Sequence, residues 1–308
     1  MSEVFTIKPD VCFRDRSEPH SALVAYREYL YRRFSQQMSL LLESKRPRKS
    51  YSTKGKLSTR KLYQYPFNET IFQQSYRIPS SDTTIVMLLD ASSSMGSHAF
   101  DWNGYDLDSI EVANAVASAF AKSVRTCVGD EIKLEVFLKT CSNSYVRGAL
   151  GIHGAPVELV RIYSNTKKRD CDLDKMLLAT TNSPLVREDD GRSGSCTPEY
   201  AVLPALFEWI KDNVQTKRVC IFNITDGETY ANVGTNNYFG NRETKILREK
   251  YLRFVDNITL YIGKTVDKHD KVVYGDNLIG NSTKSDNQSW VLPMFNTLIK
   301  LFNQATDE

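Results

Sequence analysis

The chain contains no Cys-x-x-Cys pair: its six cysteines, Cys12, Cys127, Cys141, Cys171, Cys196 and Cys220, are scattered. That removes the spacing of zinc and dithiol redox motifs and leaves the thiols as reduced packing residues. Nowhere do eighteen apolar residues run together, and Met1-Ser2-Glu3-Val4-Phe5 opens no apolar leader segment. A soluble, cytoplasmic chain with no membrane partner is therefore expected. Histidine is scarce, and His20, His98, His153 and His269 show no ligand spacing. Two phosphate-loop imitations fail. Upstream of Gly263-Lys264-Thr265 the position that requires Gly holds Ile258, and Gly275-Asp276-Asn277-Leu278-Ile279-Gly280-Asn281-Ser282 lacks the lysine. Gly191-Arg192-Ser193-Gly194-Ser195 has the wrong register for a nucleophile elbow, so hydrolase chemistry has no support.

What is present is ordinary globular material in an uneven distribution. The 308 residues are 41% hydrophobic and 25% charged, enough for one large domain with an extension. The net charge is +3, yet residues 1–80 hold 15 Lys and Arg against 7 Asp and Glu, while the rest hold 25 against 30. The front of the chain is the basic part. We divide it into a basic helical extension and linker over 1–80 and a main domain over 81–308.

In the extension, Leu23, Val24, Tyr26, Leu30, Phe34, Met38 and Leu41 recur at helical spacing, which predicts one amphipathic helix over Ser21–Leu42 in need of a partner surface. Lys45 to Lys61 loses that periodicity and gains Pro, Gly, Ser and charge. It reads as a solvated linker, with contact to an acidic partner or to nucleic-acid phosphate as the alternative. Leu62–Ile78 is an ordered lead-in. Buried strands follow at Thr84–Leu89, Ile132–Leu138, Lys217–Thr225 and Ile258–Ile262. Helices are expected over Asp106–Val124, Leu173–Ala179, Pro198–Ile210, Asn241–Val255 and Trp290–Phe302, and Tyr145–Leu150 and Val157–Tyr163 as extended or hairpin structure. Strand and helix alternate, so the expected fold class is α/β: a doubly wound, mainly parallel sheet flanked by helices, with an N-terminal helical extension.

The first main strand delivers Asp90-Ala91-Ser92-Ser93-Ser94 onto a turn. One carboxylate and two hydroxyls suit a hard cation; equally, Ser and Asp are the preferred caps of a following helix. Two distant residues bear on the choice. Thr197 precedes the helix that begins at Pro198, and Asp226 follows the strand Lys217–Thr225 directly. In an open parallel sheet these loops lie at the carboxyl ends of the strands, where ligands bind. Asp90, Ser92, Ser94, Thr197 and Asp226 together offer two carboxylates and three hydroxyls, a ligand set for six-coordinate Mg2+, or Mn2+ or Ca2+.

With those residues in that order, the chain from about 82 to 305 resembles the von Willebrand factor A family, a Rossmann-like fold, and its metal-ion-dependent adhesion site. The resemblance implies that Ser92 and Ser94 bind the metal by their hydroxyls and that Thr197 binds directly in the ligand-engaged form. It implies too that Asp90 and Asp226 act mostly through water, and that an acidic residue of a partner takes the open position. Ser93 and Cys196 stand where the family commonly has Gly. The lead-in Gly55-Lys56-Leu57, Phe72 and Ser81-Asp82-Thr83 is similar to that of CobT-like intracellular members, which implies an AAA+ ATPase partner of the MoxR type. The expected function is a non-enzymatic, Mg2+-dependent interaction module, since no general base or nucleophile accompanies the ligands. A subunit of a metal chelatase and a nucleic-acid-associated protein using the Lys45–Lys61 arm are the alternatives.

Overall fold

A computed structural model of the chain describes residues 6–7, 19–45, 49–52, 56–57, 72–75, 83–128, 132–141, 157–166, 173–178, 199–227, 231–232, 238–239, 241–253, 255–281, 290–291 and 293–297. Seven strands form its main sheet: β1 (Thr6–Ile7), β2 (Thr83–Asp90), β3 (Ile132–Cys141), β4 (Val157–Ser164), β5 (Arg218–Thr225), β6 (Asp256–Thr265) and β7 (Leu278–Asn281). Across the sheet they run β1-β4-β3-β2-β5-β6-β7. The described α-helices with assigned limits are α1 (Ser21–Lys45), α2 (Ser109–Ser123), α3 (Leu173–Leu178), α4 (Glu199–Asn213), α5 (Asn241–Leu252) and α6 (Lys268–Tyr274).

The sheet is mixed, with an antiparallel edge of two strands, which corrects the expected doubly wound, mainly parallel architecture. β4 pairs antiparallel with β3, from Glu135↔Ser164 to Cys141↔Val157. β1 then follows β4 in parallel, so this whole edge runs against the remainder. An antiparallel return needs no crossover helix, whereas a parallel one does. From β3 to β7 the neighbours are parallel.

All eight residues of β2 are buried, as a strand covered on both faces must be. Alternation divides its side chains. Ile85, Met87 and Leu89 join a core with Leu23, Tyr26, Leu30 and Phe34 of α1 and Val116 and Phe120 of α2. Val86 and Leu88 join Phe137, Ile221, Val202 and Leu206 on the opposite face. Each fully buried side chain of this size contributes about 1.5–3 kcal/mol.

The partner surface that α1 requires is therefore α2 and the sheet beneath it. Phe34 meets Phe120 and Phe295, and Lys122 reaches both Glu28 carboxylate oxygens at 2.7 Å. Burial alone would raise the Glu28 pKa, but Lys122 and Arg27 draw it below its ordinary value. Part of the expected linker is paired. Lys49–Ser52 and Lys56–Leu57 flank Phe72–Ser75 in a small antiparallel sheet, while 46–48, 53–55 and 58–71 lie outside the described residues. Tyr145–Leu150, Thr197 and the end of the last expected helix lie outside them too.

One element is new. His98–Trp102 and Tyr105–Asp108 pair antiparallel about Asn103-Gly104, where φ is +51° and +85°. Positive φ at both central positions is the two-residue hairpin turn that matches strand twist, and Asn-Gly is its favoured sequence. The helix expected from Asp106 consequently starts at Ser109, where the Asp108 N–H donates to the Glu111 carboxylate.

Candidate metal centre

Asp90 is the last residue of β2 and is fully buried. Three groups hold its carboxylate. The Ser92 N–H donates to Oδ1 at 3.0 Å, and the Thr225 hydroxyl donates to Oδ2 at 2.7 Å. Lys139 Nζ, 1% exposed, stands 3.5 Å from the same Oδ2. Lys139 is the cross-strand partner of Asp90 in the β2–β3 register, and Thr225 ends β5 on the other side. Three strand ends thus meet at one carboxylate.

The Ser92 side chain makes no capping hydrogen bond to the short helix Ser93–Gly96. Its hydroxyl instead faces that of Ser94 at 3.0 Å. Octahedral Mg2+ with ligand bonds of about 2.1 Å sets adjacent ligand oxygens about 3 Å apart, so the two hydroxyls fit one edge of its coordination shell. The donors are hard oxygens, with no thiol or imidazole among Asp90, Ser92, Ser94 and Asp226. The residues present fit a hard divalent cation.

Asp226 follows Thr225 directly and is 3% exposed. The chain then turns at Gly227, whose φ is +88° and whose N–H donates to Thr225 Oγ at 3.2 Å. A Cβ at Gly227 would lie 2.6 Å from the Tyr261 ring, so glycine is required on two counts. Of the five residues expected at the centre, Ser92 contacts both Asp90, through its N–H, and Ser94, through its hydroxyl. Asp226 is tied in through its neighbour Thr225, and Thr197 lies outside the described residues.

Sequence reasoning missed Lys139, Thr225 and the Gly227–Tyr261 contact. Thr225 was readable as the residue before Asp226; Lys139 was not, because only the strand register sets it beside Asp90. His98, which shows no ligand spacing in the sequence, lies in the hairpin. Its ring nitrogens are 3.8 Å from the Asp101 and Asp106 carboxylates, in an exposed cluster whose ligand atoms fall within 4.8 Å of one another. Gly263-Lys264-Thr265 ends β6.

No family model and no curated protein matches the chain. Solved structures give partial likenesses. The pilus adhesin SpaC from Lactobacillus rhamnosus GG is 10% identical with a TM-score of 0.44, over 71% of this chain and 31% of that one. The PilB minor pilin from Streptococcus sanguinis is 10% identical with a TM-score of 0.45, over 77% and 66%. The pilus adhesin RrgA from Streptococcus pneumoniae is 10% identical with a TM-score of 0.40, over 72% and 44%. The chain thus spans about a third of the length of SpaC.

These findings correct the family drawn from the sequence. No family model supports the von Willebrand factor A assignment, and the structural likenesses carry the names of pilus adhesins and a minor pilin. With it go the metal-ion-dependent adhesion site as a family feature, the CobT-like lineage and the AAA+ partner inferred from that lineage. The physical reason is that Asp90-x-Ser92-x-Ser94 is five residues of oxygen chemistry at a strand end. Such a site can be grafted on many folds and does not by itself fix descent.

Proposed function

We propose that the chain is a non-catalytic binding protein that uses a divalent cation, Mg2+ by preference, to hold an acidic side chain of a protein partner. The observation that carries this reading is the Ser92–Ser94 hydroxyl pair, 3.0 Å apart and anchored to buried Asp90 through the Ser92 N–H. Ser92 and Ser94 would hold the ion, and Asp90 and Asp226 would supply negative charge and orient the loop. When bound, the cation supplies a fixed positive centre that attracts a carboxylate. Ser94 is only half-buried, which leaves that side of the loop open to a partner. Thr197 is retained as a further ligand on the sequence argument alone. The thiols of Cys127 and Cys220 are free, and burial pushes the Cys220 pKa up to about 12, which favours packing roles and a reducing compartment.

Titration calorimetry with MgCl2 and MnCl2 tests the reading. The wild-type chain should bind one ion, and Ser92→Ala with Ser94→Ala should weaken binding about tenfold or more while the fold, read by circular dichroism, persists. Equal binding by the double variant would overturn it.

A further inference from the structure

Among the largest fully buried side chains of the described residues, Lys139 is the charged one. Lysine is almost never fully buried without a paired charge. Its Nζ lies 3.5 Å from Asp90 Oδ2, and its backbone is locked by the Ala91 N–H, which donates to the Lys139 carbonyl at 3.0 Å. The ammonium thus sits beside the carboxylate from which the serine loop departs.

A dication at Ser92 and Ser94 would by itself offset the charge of Asp90. An ammonium built into the same place is redundant when the ion is present and needed when it is absent. Without ion and without Lys139, the fully buried Asp90 at the end of β2 would lose the ammonium beside its Oδ2, a loss that burial makes costly. Lys139 also offsets the negative charge that Asp90 offers to the ion, and affinity for a hard cation follows the ligand charge count.

We propose that Lys139 is an internal counter-charge that keeps the centre folded in its ion-free form and thereby holds its affinity for the divalent ion low, so that the ion exchanges readily. The residue is a positioning and tuning group, not a ligand. The proposal rests on the metal-centre reading above, and the following test separates the two.

Mg2+ affinity by calorimetry and thermal unfolding in EDTA and in excess Mg2+ are measured for the wild-type chain, Lys139→Met and Lys139→Arg. Lys139→Met should bind Mg2+ at least about tenfold more tightly, as expected from removing a unit charge near a dication in a medium of low dielectric. It should also melt well below wild type in EDTA and recover in Mg2+, whereas Lys139→Arg should follow wild type in both. If Lys139→Met is too unstable to purify, Lys139→Gln keeps an N–H donor to Asp90, drops the charge and is read in the same way. Wild-type and Lys139→Met chains that bind Mg2+ equally would overturn the counter-charge proposal and leave the metal centre standing. Absence of Mg2+ binding in every variant, with no recovery of Lys139→Met, would overturn both.

Discussion

Seven residues separate Asp90 from His98, and the two acidic clusters they begin differ in every physical respect. At Asp90 the carboxylate is fully buried and held by a backbone N–H, a hydroxyl and an ammonium. Around His98, Asp101 and Asp106 face each other as cross-strand partners, and all three groups are exposed. Like charges directly opposite on a hairpin are unfavourable, and water screens them. Carboxylates brought close together do not make a binding centre. One whose oxygens are already oriented by rigid strand ends costs little reorganisation when an ion arrives.

The sharpest break in that contrast is at the buried carboxylate. Asp90→Ala takes the carboxylate away from buried Lys139 and removes the acceptor of the Ser92 N–H and the Thr225 hydroxyl. Breaking a buried pair by deleting one partner costs about 3–5 kcal/mol, and urea unfolding should show a loss of that size. An unchanged midpoint would mean that the pair does not support the fold.

A smaller loss is expected at Gly227. Alanine there must hold φ at +88° and place its Cβ against the Tyr261 ring, a combined cost of about 1–3 kcal/mol. Because Thr225 Oγ accepts from the Gly227 N–H, the damage should pass to the centre, and Gly227→Ala should also bind Mg2+ more weakly. Combining it with Tyr261→Ala removes the clash and leaves the positive φ. A double-mutant cycle with no coupling would show that the close approach contributes nothing.

These effects also mark what could be read from sequence. Strand β2 was legible because six apolar or β-branched residues lead into Asp90, and α1 because Tyr26, Leu30, Phe34 and Met38 keep helical spacing. Asp90, Ser92 and Ser94 were legible as hard-oxygen donors, since side-chain chemistry is local. Lys139 was not, because a lysine at the end of an apolar strand reads as a solvated terminus until register pairs it with Asp90. The antiparallel β4 edge escaped because alternation of strands and helices says little about the direction of a return. The hairpin was missed although Asn103-Gly104 signals it: the acidic run Asp106-Leu107-Asp108 was read as a helix start, and the turn chemistry prevailed.

The smallest effect belongs to that hairpin. A hydrogen bond with Asp106 raises the Asp101 pKa above its ordinary value, with lesser help from desolvation and from the Asp106 charge, against the opposing influence of His98. A carboxyl whose pKa is raised by folding adds stability in acid, where the shared proton is in place, and loses it as pH rises through the raised value. The gain is thus present below the ordinary aspartate range of about 4 and gone by neutral pH, the reverse of what a paired, ionised carboxylate does. Carboxyl carbon NMR should show Asp101 titrating above the ordinary range, and Asp106→Asn should bring it down. Because the pair is exposed, neither Asp106→Asn nor added Mg2+ should move the neutral-pH unfolding midpoint measurably through this cluster. Mg2+-induced shifts centred on Asp101 and Asp106 rather than on Ser92 and Ser94 would invert the comparison and make the hairpin the better cation site.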